Sequence, residues 1–337
     1  MRKLLQRLLK RPLTWMGNYL AASPKKEAVN KSLSNLYDCH KKKRSKRIKL
    51  INTYLLDTKF IIFSDQHKGN GSWADDFRVC EKNYIAALQH YNAREYNFIN
   101  LGDSEELWKF TAQKIIPANK DCFAAEAAFQ PRRYYKTFGN HDLIWKNKLD
   151  VSFLLKNIFQ LPLPVYEGIV LRNKSSDFKL DIFLTHGHQG DLMSDNNAFS
   201  TWIVAHIWMP LQRYLRININ SPSKDFSLRN THNIMMYEWS SMQKDLLLIT
   251  GHTHNPVFAS GKYFDHPSND IPTGKPSDSL KPSYFNTGCC CFSDGDITGI
   301  EIADGWIRLV KWYDEGNLSK RKILEEIEFE KLLKDLN

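Results

Sequence analysis

The chain of 337 residues reads as an α/β protein, a sheet with helices packed on it, on two observations. From residue 59 short apolar runs alternate with helical stretches, and each of the first three runs ends in a polar cluster. A hydrophobic content of 42% is enough for a substantial buried core.

Taken in order, the opening MRKLLQRLLKRPLTWMGNYL puts Leu4, Leu5, Leu8 and Leu9 on one helical face, with Arg2, Lys3, Arg7 and Lys10 around it. That pattern fits a helix lying in a membrane interface and equally a helix docked on the domain. HKKKRSKRIK, residues 40–49, reads as a charged linker. Residues 1–50 carry 15 Lys and Arg against 2 acids, whereas the other 287 carry 32 against 35. A basic arm on a slightly acidic body points to an anionic surface, membrane leaflet or nucleic acid, with a merely solvated tail as the plainer alternative.

The runs KFIIFSD, NFINLGD and YYKTFGN, separated by helical stretches at 76–94 and 104–130, set a β-α-β-α-β rhythm. Further strands are expected at 165–171, 179–185, 246–250, 283–287 and 297–312, with a helical stretch over about 196–245. The Pro, Ser and Gly-rich piece at 265–283 reads as a surface loop. The final KRKILEEIEFEKLLKDL reads as an amphipathic helix with charge pairs four residues apart. Without an apolar stretch of about twenty residues or a cleavable leader, neither a membrane span nor export is expected, so the chain is placed in the cytoplasm. The six cysteines form no CxxC pair and read as reduced, buried thiols, with Cys289, Cys290 and Cys291 as packing residues.

Five apolar runs end in metal-capable side chains: Asp65 and His67 in FSDQH, Asp103 in LGDSEE, Asn140 and His141 in FGNHD, His186 and His188 in LTHGH, and His252 and His254 in TGHTH. Strands of a layered α/β fold present their carboxyl ends along one rim, so these clusters can meet in one crevice. Six of the eleven histidines fall in them, which random placement does not readily give. Each piece alone is more often a turn than a ligand set, and the specificity lies in the joint order. Gly251 would let the backbone turn closely beneath His252 and His254.

DxH, GDxxE, GNHD, THGH and GHTH in this order resemble the calcineurin-like metallophosphoesterase superfamily over roughly residues 59–312. The resemblance implies a four-layer α-β-β-α sandwich of two mixed sheets over residues 51–337, with a helical cap insertion at about 190–245, preceded by the basic arm. It also implies two divalent ions: Asp65, His67 and His254 on one, Asn140, His186 and His252 on the other, and Asp103 bridging. Imidazole, carboxylate and amide oxygen together suit Mn, Fe or Zn, and such a pair activates water for attack at phosphorus. His141 is then a candidate to protonate the leaving oxygen, with Asp142 orienting it or capping the next helix. Glu106 matches the acid that holds a ligand histidine from behind, Glu105 reads as solvated, and His188 faces the substrate or stands behind the ligands.

Within the superfamily, GDSEELW and THGHQGDLMSDNNAF are similar to the UDP-2,3-diacylglucosamine pyrophosphatases, with Trp108 in the matching place. GNHD departs from the GNRD common in that branch. FSTWIVAHIWMPLQRYLRI would cap the site and accept acyl chains, or pack on the sandwich; Arg213, Arg216, Lys224 and Arg229 are candidate phosphate or headgroup contacts. The expected substrate is a phosphorylated small molecule or lipid, with an anionic membrane surface as partner of the arm. Nucleic acid is less favoured because the body is acidic. A nuclease, a soluble phosphodiesterase or phosphomonoesterase, a protein phosphatase and a catalytically silent binding protein are the alternatives.

Overall fold

Two mixed sheets lie face to face at the centre of the computed structural model, which describes residues 25–42, 46–190, 226–260 and 281–336, with the side chains of 226–229 excepted. One sheet runs in the order β1 (Ile48–Thr53), β6 (Gly168–Asn173), β7 (Asp181–Thr185), β8 (Leu246–Thr250), β9 (Tyr284–Asn286). The other runs β12 (Leu318–Glu328), β11 (Trp306–Glu315), β10 (Ile297–Ala303), β2 (Phe60–Phe63), β3 (Asn97–Leu101), β4 (Tyr134–Thr137), β5 (Val165–Tyr166). The second sheet is parallel from β2 to β5 and antiparallel from β2 to β12.

Period-two alternation distributes the apolar side chains among three cores. Phe60 and Ile62 of β2, Ile182 and Leu184 of β7, and Leu247 and Ile249 of β8 meet between the sheets. Ile61 and Phe63 point the other way, under α2 (Glu81–Ala93), α4 (Lys120–Ala127) and α5 (Lys148–Phe159). Phe183, Leu246 and Leu248 point outward beneath α1 (Lys26–Asp38) and α6 (Phe226–Ser241). Three cores between four layers give the α-β-β-α sandwich, and strands buried on both faces explain why they read as continuous apolar runs.

The structure departs from the sequence reading in three places. The segment 320–336 is not one helix: its first part is β12, paired with β11 through a turn in which Gly316 and Asn317 both have positive φ, and only α7 (Phe329–Leu336) is helical. The hairpin turn and the ion pair from Arg321 to buried Glu301, 2.8 Å, outweigh the weak local charge pairs. Within 104–130, helix begins only at α3 (Ala112–Ala118), because residues 104–106 lie alongside the loop after β2. Finally, the described parts of the expected arm and linker belong to the sandwich: Val29, Leu33 and Leu36 of α1 are buried against the first sheet, and β1 pairs with β6. The opening helix, Arg213, Arg216, Lys224, the Arg229 side chain and most of the expected cap lie outside the described residues. Among the described residues no helix is long and apolar enough to cross a membrane.

A buried ionic cluster fixes the loops after β2 and β3. Lys68 pairs with Glu126 and with Glu105, and Glu105 also takes Lys136 at 3.0 Å and the Trp145 indole N–H at 2.6 Å. Tyr84 and Tyr134 donate to Glu126 at 3.0 Å. Glu105 is therefore buried, not solvated. Since Lys68 follows His67 and Glu105 precedes Glu106, the cluster sets two candidate site residues in place. Burial raises the Glu105 pKa, but Lys136 and Lys68 outweigh it and hold it at about 2. A depressed carboxylate stabilises the fold fully above its unfolded pKa, about 4.3, and loses that contribution as pH falls toward the folded value. Glu105→Gln should accordingly cost about 3–5 kcal/mol in urea unfolding at pH 7 and flatten the acid loss between about pH 4.3 and 2. A cost below about 0.5 kcal/mol would refute the clamp.

Candidate metal centre

All five predicted loops leave the carboxyl ends of their strands and converge: Asp65 and His67 after β2, Asp103 after β3, Asn140 after β4, His186 after β7, His252 and His254 after β8. The convergence strains the backbone. Asp65, His67, Asp103, His252 and His254 all have φ between 49° and 70°, half of the ten non-glycine residues of positive φ described. Such conformations cost of order 1–3 kcal/mol each and cluster at functional sites. Glycine supplies the closest approaches. A Cβ on Gly139 would lie 2.2 Å from Asp103 Oδ1, and one on Gly251 2.4 Å from Asp65 Oδ2.

Two buried carboxylates face a ring of imidazoles. Asp65 Oδ1 lies 3.2 Å from His254 Nε2 and 3.8 Å from His67 Nε2. Asp103 Oδ2 lies 3.1 Å from His186 Nε2 and 3.8 Å from His67 Nε2. His67 and His254 bring their Nε2 atoms within 3.0 Å of each other. Their other oxygens are occupied: Asp65 Oδ2 accepts from His252 N at 2.9 Å and Asp103 Oδ1 from His141 N at 2.7 Å. Two buried atoms at the centre, Asn140 Oδ1 and His252 Nε2, have no hydrogen-bond partner, and Asp65 Oδ1 and His186 Nε2 have only the ion-pair contacts just given. Orphaned lone pairs of this kind are costly unless a cation receives them, so the donor set fits divalent metal. Asp103, His186 and His252 form one group whose ligand atoms lie within 4.8 Å of one another, and His67, Asp103 and His141 form another.

Electrostatics without ions point the same way. Burial opposes charge on every one of these groups, yet His186 and His254 keep Asp65 well below the usual carboxylate range. Around His186, Asp103 and Asp65 overcome burial and raise its pKa to about 9; around His254, Cys291 and Asp65 do the same, also to about 9. Protonated imidazoles thus supply the positive charge the two carboxylates require. His188 differs: burial and the neighbouring His186 push it down to about 3, and its ring is shut in beside His186 and Phe138 instead of facing a substrate.

His141 stands at the rim, partly exposed. Its Nδ1 is 2.9 Å from Glu106 Oε1, and its ring stacks on Trp108 at 4.0 Å with an interplanar angle of 16°. Trp108 Nε1 donates to Asn140 O at 2.9 Å. Glu106 also faces His67 Nδ1 at 3.3 Å, so one carboxylate orients both rings. Asp142 does not orient His141 as expected: its oxygens accept from Gly139 N at 2.6 Å and Ser104 N at 2.9 Å, tying the loops after β3 and β4 together.

Three site residues escaped the sequence. His232 Nε2 of α6 donates to Gly187 O, and the ring lies beside His252, ring centroids 5.1 Å apart. Asn233 accepts from Thr253 Oγ1 at 3.1 Å, and Asn286 donates to Gly251 O at 2.7 Å. The first two sit in a helix with no motif, and the third is the last residue of β9. Cys291 Sγ lies 3.6 Å from His254 Nδ1, whereas Cys289 and Cys290 are buried.

The solved structures similar to this chain include Vacuolar Protein Sorting 29 from Cryptosporidium parvum, at 11% identity and TM-score 0.34, covering 81% of this chain and 99% of that one. They also include a dimetal phosphatase from Danio rerio, at 9% identity and TM-score 0.42, covering 80% and 98%. No curated protein matches the chain. The family model described as calcineurin-like phosphoesterase matches residues 58–256, more than half of the sequence and all five metal-capable clusters. With that match, the chain belongs to the calcineurin-like phosphoesterase family.

Proposed function

We propose that the protein is a two-metal hydrolase of phosphate esters or pyrophosphates. The observation that carries this reading is that the buried lone pairs of Asn140 Oδ1 and His252 Nε2 are left without a partner beside the Asp65 and Asp103 carboxylates. Asp65, His67 and His254 would hold one divalent ion, Asn140, His186 and His252 a second, and Asp103 would bridge them. Two such ions supply charge neutralisation at phosphorus and a water acidic enough to attack it at neutral pH. Mixed nitrogen and oxygen donors favour Mn, Fe or Zn.

The chain's own groups supply the rest. Glu106 at Nδ1 and the Trp108 face hold the His141 ring, leaving Nε2 to give a proton to the leaving oxygen. Asp142 and Gly139 keep the Asn140 loop against Asp103. For the substrate, we favour a pyrophosphate of a lipid or nucleotide-sugar at a membrane surface, supported by GDSEELW and by the basic residues before α1.

Protein loaded with Mn should hydrolyse at least one class in a panel of monoesters, diesters, nucleotide pyrophosphates and UDP-diacylglucosamine, and chelation should abolish turnover. Hydrolysis of soluble monoesters alone would remove the lipid assignment; two bound ions with no turnover on any class would establish a binding protein instead. His141→Asn should lower kcat by about 10²–10⁴-fold with metal content unchanged, and loss of metal in that variant would contradict the proton-donor role.

Metal uptake should also be coupled to protons. His186 and His254 are held at about 9 without ions and must deprotonate to bind. Affinity should therefore rise with pH up to about 9, with net proton release at pH 7 in calorimetry across buffers of different ionisation heat. Binding without proton release would overturn the assignment of these two ligands.

A further inference from the structure

Three imidazoles line Asp65 and Asp103, and the second nitrogen of each meets a different chemical group. His67 Nδ1 faces the Glu106 carboxylate at 3.3 Å, His186 Nδ1 lies 3.0 Å from the Leu101 carbonyl, and His254 Nδ1 lies 3.6 Å from Cys291 Sγ. An imidazole that gives Nε2 to a metal carries its proton on Nδ1, so each of these groups stands where an acceptor is needed. We propose that Cys291 is a positioning residue for His254, its sulfur accepting a hydrogen bond from Nδ1–H and aiming Nε2 into the site. The proposal rests on the two-metal reading above.

The geometry separates this role from direct ligation and from packing. The sulfur is on the Nδ1 side, while Nε2 turns to Asp65 Oδ1 at 3.2 Å and His67 Nε2 at 3.0 Å. The neighbouring Cys290 N donates to the Asp65 backbone carbonyl at 3.2 Å. The stretch after β9 thus touches two candidate ligands of one ion and is the sixth strand end at the centre. Cys289 and Cys290 are buried, whereas Cys291 is only partly so, and its sulfur lies within 4.8 Å of ligand atoms of both His67 and His254. A thiol is a weak and bulky acceptor, so this ring is held more loosely than the two held by oxygen.

The test is cobalt(II) titration of the full-length wild type, Cys291→Ala and Cys291→Ser, followed by absorption and by competition with a chelator. The wild type should take up two equivalents. Cys291→Ala should weaken one equivalent by about 10–100-fold and leave the other unchanged, and Cys291→Ser, which keeps an acceptor, should restore most of that loss. Unaltered affinity in Cys291→Ala would make the residue a packing group. Equal weakening of both equivalents with a lowered metal-free Tm would make it structural. A sulfur scatterer at about 2.3 Å in X-ray absorption of zinc-loaded wild type would make it a ligand and overturn the positioning role. Failure of the wild type itself to bind cobalt would remove the two-metal reading as well, which none of the other outcomes does.

Discussion

Two carboxylates, Asp65 and Asp103, buried around the same imidazole nitrogens, set the terms for everything else in this site. His67 Nε2 is 3.8 Å from both, and His186 Nε2 is 3.1 Å from one and 3.9 Å from the other. Like charges so placed in a dry interior are tolerable only with positive charge between them. Without ions, protonated histidines provide it; with ions held as proposed, the same histidines would become neutral ligands. One arrangement of side chains therefore serves both states, and the backbone need not rebuild when metal enters.

The sandwich makes that arrangement affordable. Five of the site residues sit in left-handed conformations, which would relax if the loops were free. They are held because each lies within four residues of the end of a strand buried on both faces, and because Gly139 and Gly251 let neighbouring loops touch. The Lys68, Glu105, Glu126 and Lys136 cluster then ties the first two loops to the helices behind them. Its opposite charges are balanced within the cluster, so it fixes position without adding net charge beneath the centre.

How much of this was readable in the sequence depends on the range of each interaction. Strand ends were readable because a doubly buried strand is a continuous apolar run and the polar residue that stops it is adjacent in sequence. DxH, GNHD and GHTH are each local, and their convergence follows from fold class. What failed were features decided at a distance. Residues 320–328 carry helix-like charge spacing, but pairing with β11 and the reach of Arg321 to Glu301 decide the outcome. Glu105 looks like a surface acid until Lys136, 31 residues away, comes beneath it. Asp142 sits next to His141 in sequence yet bonds to Ser104, while the group that holds the ring is Glu106, 35 residues earlier.

The same distinction separates the ligands from the residues behind them. A ligand must leave a strand end, so its place in the chain is constrained and its motif is short. A group that holds the far side of a candidate ligand ring needs only to arrive there, from any element: Glu106 from the loop after β3, Leu101 by its backbone from β3 itself, Cys291 from the loop after β9. These contacts fix ring orientation and proton position, and so tune how strongly each nitrogen binds. Members of one family can therefore keep an identical ligand motif and differ in metal preference through residues that no motif records. In this chain His254 is the one ring of the three whose second nitrogen faces sulfur instead of oxygen.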